Sequence, residues 1–223
     1  MIRIEETQVW GWGAALRGMR NPKNSWSRSD TFYLPEDDYA EIGQKDMHLM
    51  QQLFRAGSEH RKYLRMVHVS MDVTAPLYWW KEYDTYKVGT VANSCSTMHK
   101  IHAKPFELDD FSWDQLLNTG CDLFELKWGT DCKTMVQPQH FLIEYIIPVL
   151  NVCREKYLET KDKAYWWQMI QLLPTSYNQK RTIDFDYETA VRIIQQRSGH
   201  KLDEWHVFVK ALEELPYMAA IRS

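Results

Sequence analysis

Between Val67 and Tyr83 the chain changes its period. Val67, Val69, Met71 and Val73 alternate with His68, Ser70 and Asp72, the two-residue repeat of a strand with one buried face. At Ala75-Pro76 the alternation stops, and Leu77-Tyr78-Trp79-Trp80 opens a stretch with no Gly or Pro before Gly89. Proline suits the first turn of a helix, so a strand is expected to run through a tight turn directly into an aromatic helix that Gly89 ends. The small, hydroxylated and thiol residues that follow, through Ser94-Cys95-Ser96-Thr97, read as a loop.

The remaining periodicities fill in around that junction. Ile2 to Val9 reads as a short strand, and residues 21–35 are rich in turn formers and read as a surface loop. Met47, Met50, Leu53 and Phe54 mark a helix over Asp46–Ala56 with Gly57 as its stop. Downstream we expect a short helix at Asp109–Leu117, an irregular segment holding Gly120 and Gly129, and a long helix from Phe141 to Tyr157 kinked by Pro148. A helix over Ala164–Leu173 closes at Pro174, a strand covers Thr182–Tyr187, and a helix over Tyr187–Arg197 has Gly199 at its cap. Leu202, Trp205, Phe208, Val209, Leu212 and Leu215 mark the last helix. The sum is α+β and helix-rich, with few strands, in one domain over residues 1–223. No fixed-period repeat is present, although Tyr-Trp-Trp occurs at 78–80 and 165–167.

Composition narrows the function classes. A net charge of -3 argues against a sequence-blind nucleic-acid binder, which depends on phosphate neutralisation by Lys and Arg. No apolar run has the length of a membrane helix, and Met1-Ile-Arg-Ile-Glu-Glu6 has no leader pattern, so a soluble intracellular protein is expected. The 4 cysteines, Cys95, Cys121, Cys132 and Cys153, form no Cys-x-x-Cys pair and are expected to be reduced thiols. Ten Trp and twelve Tyr suggest a core, an oligomer interface or a pocket for a flat ligand.

Three local patterns carry candidate chemistry. His99 and His102 with Cys95 lack further ligands at zinc spacing, so no metal is expected. Glu59-His60-Arg61-Lys62-Tyr63-Leu64-Arg65 holds cations that could grip a phosphate or simply form a solvated helix face. Cys95 or Ser96 could act as a nucleophile, though no Gly-x-Ser-x-Gly elbow is present; the plain alternative is a polar loop with a half-buried thiol.

The order of strand, Ala75-Pro76, aromatic helix and hydroxylated loop resembles the flavin-dependent thymidylate synthases. In that family an Ala-Pro begins a helix containing Arg-Gln, then Arg-His-Arg, and after a short interval a Ser. Here Lys81-Glu82 falls at Arg-Gln, Thr85-Tyr86-Lys87 at Arg-His-Arg, Thr90 at an earlier Ser, and Cys95 or Ser96 at the loop Ser. Leu173-Pro174, Thr182 and the helix end Gln196-Arg197 follow the family's Leu-Pro, Thr-containing strand and Leu-Arg, so the resemblance spans roughly residues 40–215.

What the resemblance implies is concrete. The fold would be a single helix-rich α+β domain with a small antiparallel sheet. The activity would be reductive methylation of dUMP to dTMP, with methylenetetrahydrofolate as carbon donor, FAD as cofactor and NADPH as reductant, in a homotetramer with shared sites. The setting would be the cytoplasm of a bacterium or a phage-infected cell. Tyr86, Lys87, Cys95 and Ser96 would stand at the chemistry, Lys81, Glu82, Thr85, Thr90 and Asn93 at the flavin, and Ser96, Arg181 and Arg197 at the nucleotide. Of the Arg-His-Arg cations only Lys87 remains, and Lys does not reproduce a bidentate guanidinium. Either Arg61, Lys62, Arg65, Lys81, Lys100 or Arg181 substitutes, or the fold has been kept for nucleotide binding with no catalysis or altered chemistry. A protein-interaction module presenting exposed aromatics is a third reading.

Overall fold

A computed structural model describes residues 2–36, 38–118, 124–128 and 132–223. In chain order the elements are β1 (Arg3–Trp10), α1 (Trp12–Arg20), β2 (Phe32–Leu34), β3 (Tyr39–Glu41), α2 (Gln44–Arg55), β4 (His68–Pro76), α3 (Leu77–Tyr83), β5 (Thr90–Ser94) and α4 (Thr97–Lys100). They continue with β6 (Phe124–Trp128), β7 (Cys132–Val136), α5 (Pro138–Phe141), α6 (Ile147–Thr160), α7 (Lys163–Leu172), β8 (Asn178–Asp186), α8 (Tyr187–Arg197), α9 (Asp203–Glu213) and α10 (Met218–Arg222). The fold is α+β and helix-rich, with small antiparallel sheets. A four-stranded sheet has the order β1-β4-β8-β5, and β2-β3 and β6-β7 form two-stranded sheets.

The chain divides into two compact units, neither of them a contiguous segment. The first holds Ala75–Lys81 and Ser94–Lys180. Its core gathers Ile101, Phe106, Phe111, Leu142, Leu150 and Met169, with α6 packed on α7. The second holds Ile2–Thr74, Glu82–Asn93 and Arg181–Ser223 and buries Met71, Val73, Phe185, Tyr187, Trp205 and Phe208. In it β1 pairs antiparallel with β4 from Arg3↔Thr74 to Trp10↔His68, and a bulge between Glu5 and Gln8 places Glu6 at φ 52°.

Several expectations are corrected here. Helix α1, with Trp12, Ala15, Leu16 and Met19 on its buried face, stands where the sequence pattern marks no element. Its glycines lower helix propensity but have a packing role: a Cβ on Gly13 would lie 2.4 Å from the Tyr33 ring. Pro76 closes β4 instead of opening the helix, and α3 runs only 7 residues. It ends before Gly89 because Thr85 turns back on it, its amide (3.2 Å) and Oγ1 (2.7 Å) both donating to the Glu82 carbonyl. Thr90–Ser94 is the edge strand β5, not a loop.

Asp109–Leu117 is not a helix but a 3-10 turn at Leu108–Asp110. The Asp110 carboxylate accepts from the Glu107 amide (3.0 Å), and the Ser112 amide leaves to the Ser176 carbonyl (2.8 Å). Gly120 and Gly129 lie outside the described residues, while β6 and β7 beside them pair as a hairpin that no alternation in the sequence marks. Where a kink at Pro148 was expected, the chain has a π-helical turn, Leu142–Ile146, immediately before α6. A proline has no N–H and crowds the carbonyl four residues back, and the wider turn relieves both. The basic run at 59–65 forms a 3-10 turn, Lys62–Met66, so it is not a solvated helix face.

One prediction arises from the packing of α8. Tyr187 is fully buried and its hydroxyl donates to the Pro216 carbonyl (2.9 Å), tying α8 to the turn before α10. Tyr187→Phe is expected to lower stability by about 1 kcal/mol, the net worth of one buried hydrogen bond, read as a small drop in denaturation midpoint with an unchanged slope.

Candidate functional site

In the second unit the residues around Tyr86 form one cluster. Tyr86 follows the turn that ends α3 and is 6% exposed, with its ring against Trp205 and Tyr83. Its hydroxyl accepts from Arg197 Nε (2.9 Å) and donates to Gln196 Oε1 (3.0 Å). The Arg197 guanidinium lies 5.5 Å from the Tyr86 ring centre and 4.7 Å from that of Trp205, and its Nη1 donates to Glu82 Oε2 at 3.0 Å. Cation–π contact, ion pair and hydrogen bond thus hold one side chain in one orientation.

Arg192 covers Tyr86 from another position on α8, with its guanidinium 5.8 Å from the ring centre and Nη2 donating to the Val88 carbonyl (3.2 Å). Its Nε is buried and has no hydrogen-bond partner among the described residues. Burying a donor without a partner costs about 1–3 kcal/mol. Arg192 and Val88 line two recesses. One, of about 240 Å³, also has Thr85, Tyr86, Lys87 and Gln196 on its wall. The other, of about 510 Å³, is lined by Arg61, Arg65, Asp186 and Glu188 among others. Arg61 Nε stands 2.8 Å from Glu188 Oε2 and its guanidinium lies over the Phe54 ring, whereas Arg65 is exposed.

Gly89 fixes the turn between Lys87 and β5. It sits at φ 75°, and a Cβ there would meet Asp186 Oδ2 at 2.8 Å. Gly89→Ala should therefore cost roughly 1–2 kcal/mol and disturb the recess, seen as a lowered melting temperature together with weaker anion binding.

The other unit has its own recess, of about 120 Å³, where Cys95 and Ser96 meet Lys100, Lys104, Tyr177 and Lys180. Backbone pairing sets it: the Cys95 amide donates to the Lys180 carbonyl (2.9 Å), and Gln179 Nε2 donates to the Cys95 carbonyl (2.8 Å). Ser96 is the N-cap of α4, its Oγ accepting from the His99 amide at 3.0 Å. The Cys95 thiol is exposed and its Sγ has no hydrogen-bond partner among the described residues, so no paired base stands beside it. Cations and a hydroxyl around so small a volume suit one phosphate group, not a whole nucleotide.

With this geometry in place, comparison with known proteins is informative about the fold. No model of a known protein family matches the chain, and no curated protein matches it in sequence. Solved structures do match. Thymidylate synthase X from Helicobacter pylori with FAD and dUMP aligns at TM-score 0.64 with 15% identity, covering 99% of this chain and 97% of that one. A second structure of that enzyme with FAD and dUMP gives 0.64, 16% identity, and 98% and 97% coverage. The UMP/dUMP methylase PolB from Streptomyces cacaoi bound with 5-Br dUMP gives 0.57, 11% identity, and 96% and 88% coverage. The chain shares their fold.

The sequence-derived site residues are distributed as follows. Glu82, Tyr86 and Arg197 come together in one cluster; Thr85, Tyr86 and Lys87 line the smaller recess of that unit. Thr90 holds the turn, its hydroxyl donating to the Tyr86 carbonyl, and Asn93 is exposed on β5. Arg181 is separately engaged, with Nη1 on Asp84 Oδ1 at 2.7 Å. Lys81 is exposed in the last turn of α3, and Cys95 and Ser96 share the recess of the other unit.

Sequence reasoning missed Arg192, Gln196 and Lys180. The first two had a signal: Glu188, Arg192 and Gln196 recur every four residues, a polar stripe along α8.

Proposed function

We propose that this chain is a flavin-dependent pyrimidine-nucleotide methylase of the thymidylate synthase X type. It would take dUMP to dTMP with methylenetetrahydrofolate as carbon donor and NADPH as reductant, as a cytoplasmic homotetramer with shared sites. The observation that carries this reading is a fold match covering nearly all of both chains, to enzymes whose structures hold FAD and dUMP. Exposed Val88 (75%) and Val91 (69%), at and just before the edge strand β5, suit burial against another copy.

The residues present fit a phosphate-bearing flavin. The larger recess around Arg192 has the volume of a small-molecule site, and it combines Arg61, Arg65 and a buried guanidinium Nε that lacks an acceptor. Arg65, Arg192 and Lys87 would hold the flavin's phosphates, taking the place of the family's Arg-His-Arg cations. When bound, the flavin supplies the hydride chemistry, and the protein's part is to position and to neutralise charge. Lys100 and Lys180 with Ser96 would receive the nucleotide phosphate, and no enzyme nucleophile is needed, in keeping with the unpaired Cys95 thiol.

A second reading has a specific observation in its favour. Arg181 and Arg197, the two arginines expected at the nucleotide, are ion-paired with Asp84 and Glu82. A carboxylate facing each one lowers its attraction for a phosphate, which suits a protein that kept the fold while changing its ligand or losing its chemistry.

Incubation with FAD followed by desalting separates these readings. The enzyme reading expects retained flavin absorbance, at least tenfold weaker retention in Arg192→Ala, and NADPH oxidation that depends on dUMP. Nucleotide binding by calorimetry with no flavin retained and no NADPH oxidation supports the second reading.

A further inference from the structure

A recess of about 900 Å³, the largest described, shares no lining residue with those around Arg192 or Cys95. Lys23 and Arg28 reach it from the turns after α1, and Lys45 and His48 from the exposed face of α2. No Asp or Glu lines it, and among the described residues no carboxylate pairs with Lys23, Arg28 or Lys45. Arg61, Arg181, Arg197 and Arg222, by comparison, each face a carboxylate. Two elements distant in sequence therefore converge three unneutralised cations on one concave surface, where field lines concentrate.

The two walls are fixed to each other beneath this surface. Asp46, on α2, accepts from Arg20 Nε (2.6 Å), Ser29 Oγ (2.6 Å) and Thr31 Oγ1 (2.7 Å), and Arg20 in turn donates to the Ser25 and Arg28 carbonyls (3.2 Å each). The nearby Asp30 carboxylate is occupied by the first-turn amides of α2, those of Lys45 (2.9 Å) and Asp46 (3.1 Å). The backbone positions that carry the cations are thus set before any ligand arrives, which reduces the ordering cost of binding. The neutral lining supplies hydroxyl and amide groups from Ser27, Asn24, Gln44 and Gln52. Leu49 is its only apolar member and no Trp, Tyr or Phe lines it, so the His48 imidazole is the one ring present and there is no broad platform for stacking a base.

The geometry points to a binding site for a small oligophosphate, recognised by its charge and not by a base. A single phosphate would neutralise only part of three cations and fill a minor part of the volume, whereas linked phosphates reach both walls. This does not depend on the methylase reading.

Calorimetric titration of the full chain with sodium tripolyphosphate at fixed ionic strength tests it. Lys23→Glu with Lys45→Glu changes two exposed side chains and leaves the Arg20–Asp46 pair intact. Affinity should fall by about tenfold or more for each charge-assisted hydrogen bond removed. Lys23→Gln with Lys45→Gln should give a smaller loss in the same direction, and stands in if the charge reversal does not fold. The proposal is overturned by absence of binding at millimolar tripolyphosphate, by unchanged affinity in both double variants, or by citrate binding equally well. A single-stranded oligonucleotide that displaces tripolyphosphate at lower concentration would overturn it in favour of nucleic acid.

Discussion

Arg197→Ala is expected to lower stability by roughly 2 kcal/mol and, on the methylase reading, to abolish nucleotide methylation. The side chain of Arg197 is 16% exposed, and its removal takes away a hydrogen bond to Tyr86, two cation–π contacts and the partner of Glu82. Glu82 is 43% exposed and can be rehydrated, so the ion pair contributes only a modest share of that loss. For a chain of this length the melting temperature should fall by about 4–8 °C. Arg197→Lys separates a structural role from a ligand-binding one. Lys keeps the charge but cannot bridge Glu82 and the Tyr86 hydroxyl together, so a structural Arg197 predicts a similar stability loss in both variants. If Arg197→Lys instead keeps full stability while nucleotide affinity stays low, Arg197 serves the ligand first.

The same cluster shows how far the sequence could be read. The strand into Ala75-Pro76, the aromatic helix, and the helices at 46–56, 164–173 and 187–197 follow from periodicity and from their stops, because burial of one face imposes those repeats. Helix α1 was hidden because its glycines weaken propensity, and only the Tyr33 ring packed at Gly13 shows why a side chain is unwelcome there. Thr90–Ser94 resembles a loop because an edge strand exposed along most of its length carries no alternation; its place follows from β8, far along the chain.

At the site, Thr85, Tyr86 and Lys87 were singled out by position, but their partners were not. Tyr86 was expected at the chemistry, whereas its hydroxyl is committed to Arg197 and Gln196 inside the protein. Arg181 and Arg197 were expected at the nucleotide, and no local pattern announced Asp84 and Glu82 as their counter-charges. Those pairings span 97 and 115 residues, and only the fold brings them about.

The largest loss of stability is expected from Asp46→Ala. Asp46 is fully buried and its carboxylate joins the segment after α1 to α2, accepting from Arg20, Ser29 and Thr31 side chains and from the Asp30 and Thr31 amides. Its removal strands the Arg20 guanidinium, itself 4% exposed, and a buried charge without its partner costs about 3–5 kcal/mol. The melting temperature should fall by roughly 10 °C or more, to be checked by calorimetry. The double replacement Arg20→Met with Asp46→Leu should recover part of the loss, since it removes both charges together; if it is worse than Asp46→Ala alone, the pair is not the source of the effect. Acid should act through the same group. Burial by itself raises the Asp46 pKa, but the bonds from Ser29, Thr31 and Arg20 outweigh it and hold the value below the ordinary 3.8. A carboxyl with a depressed folded-state pKa contributes stability above its unfolded value and loses it as pH falls through the folded one. Stability should therefore hold down to about pH 5 and decline below pH 4, and the decline should be shallower in Asp46→Asn, which has no carboxylate to protonate.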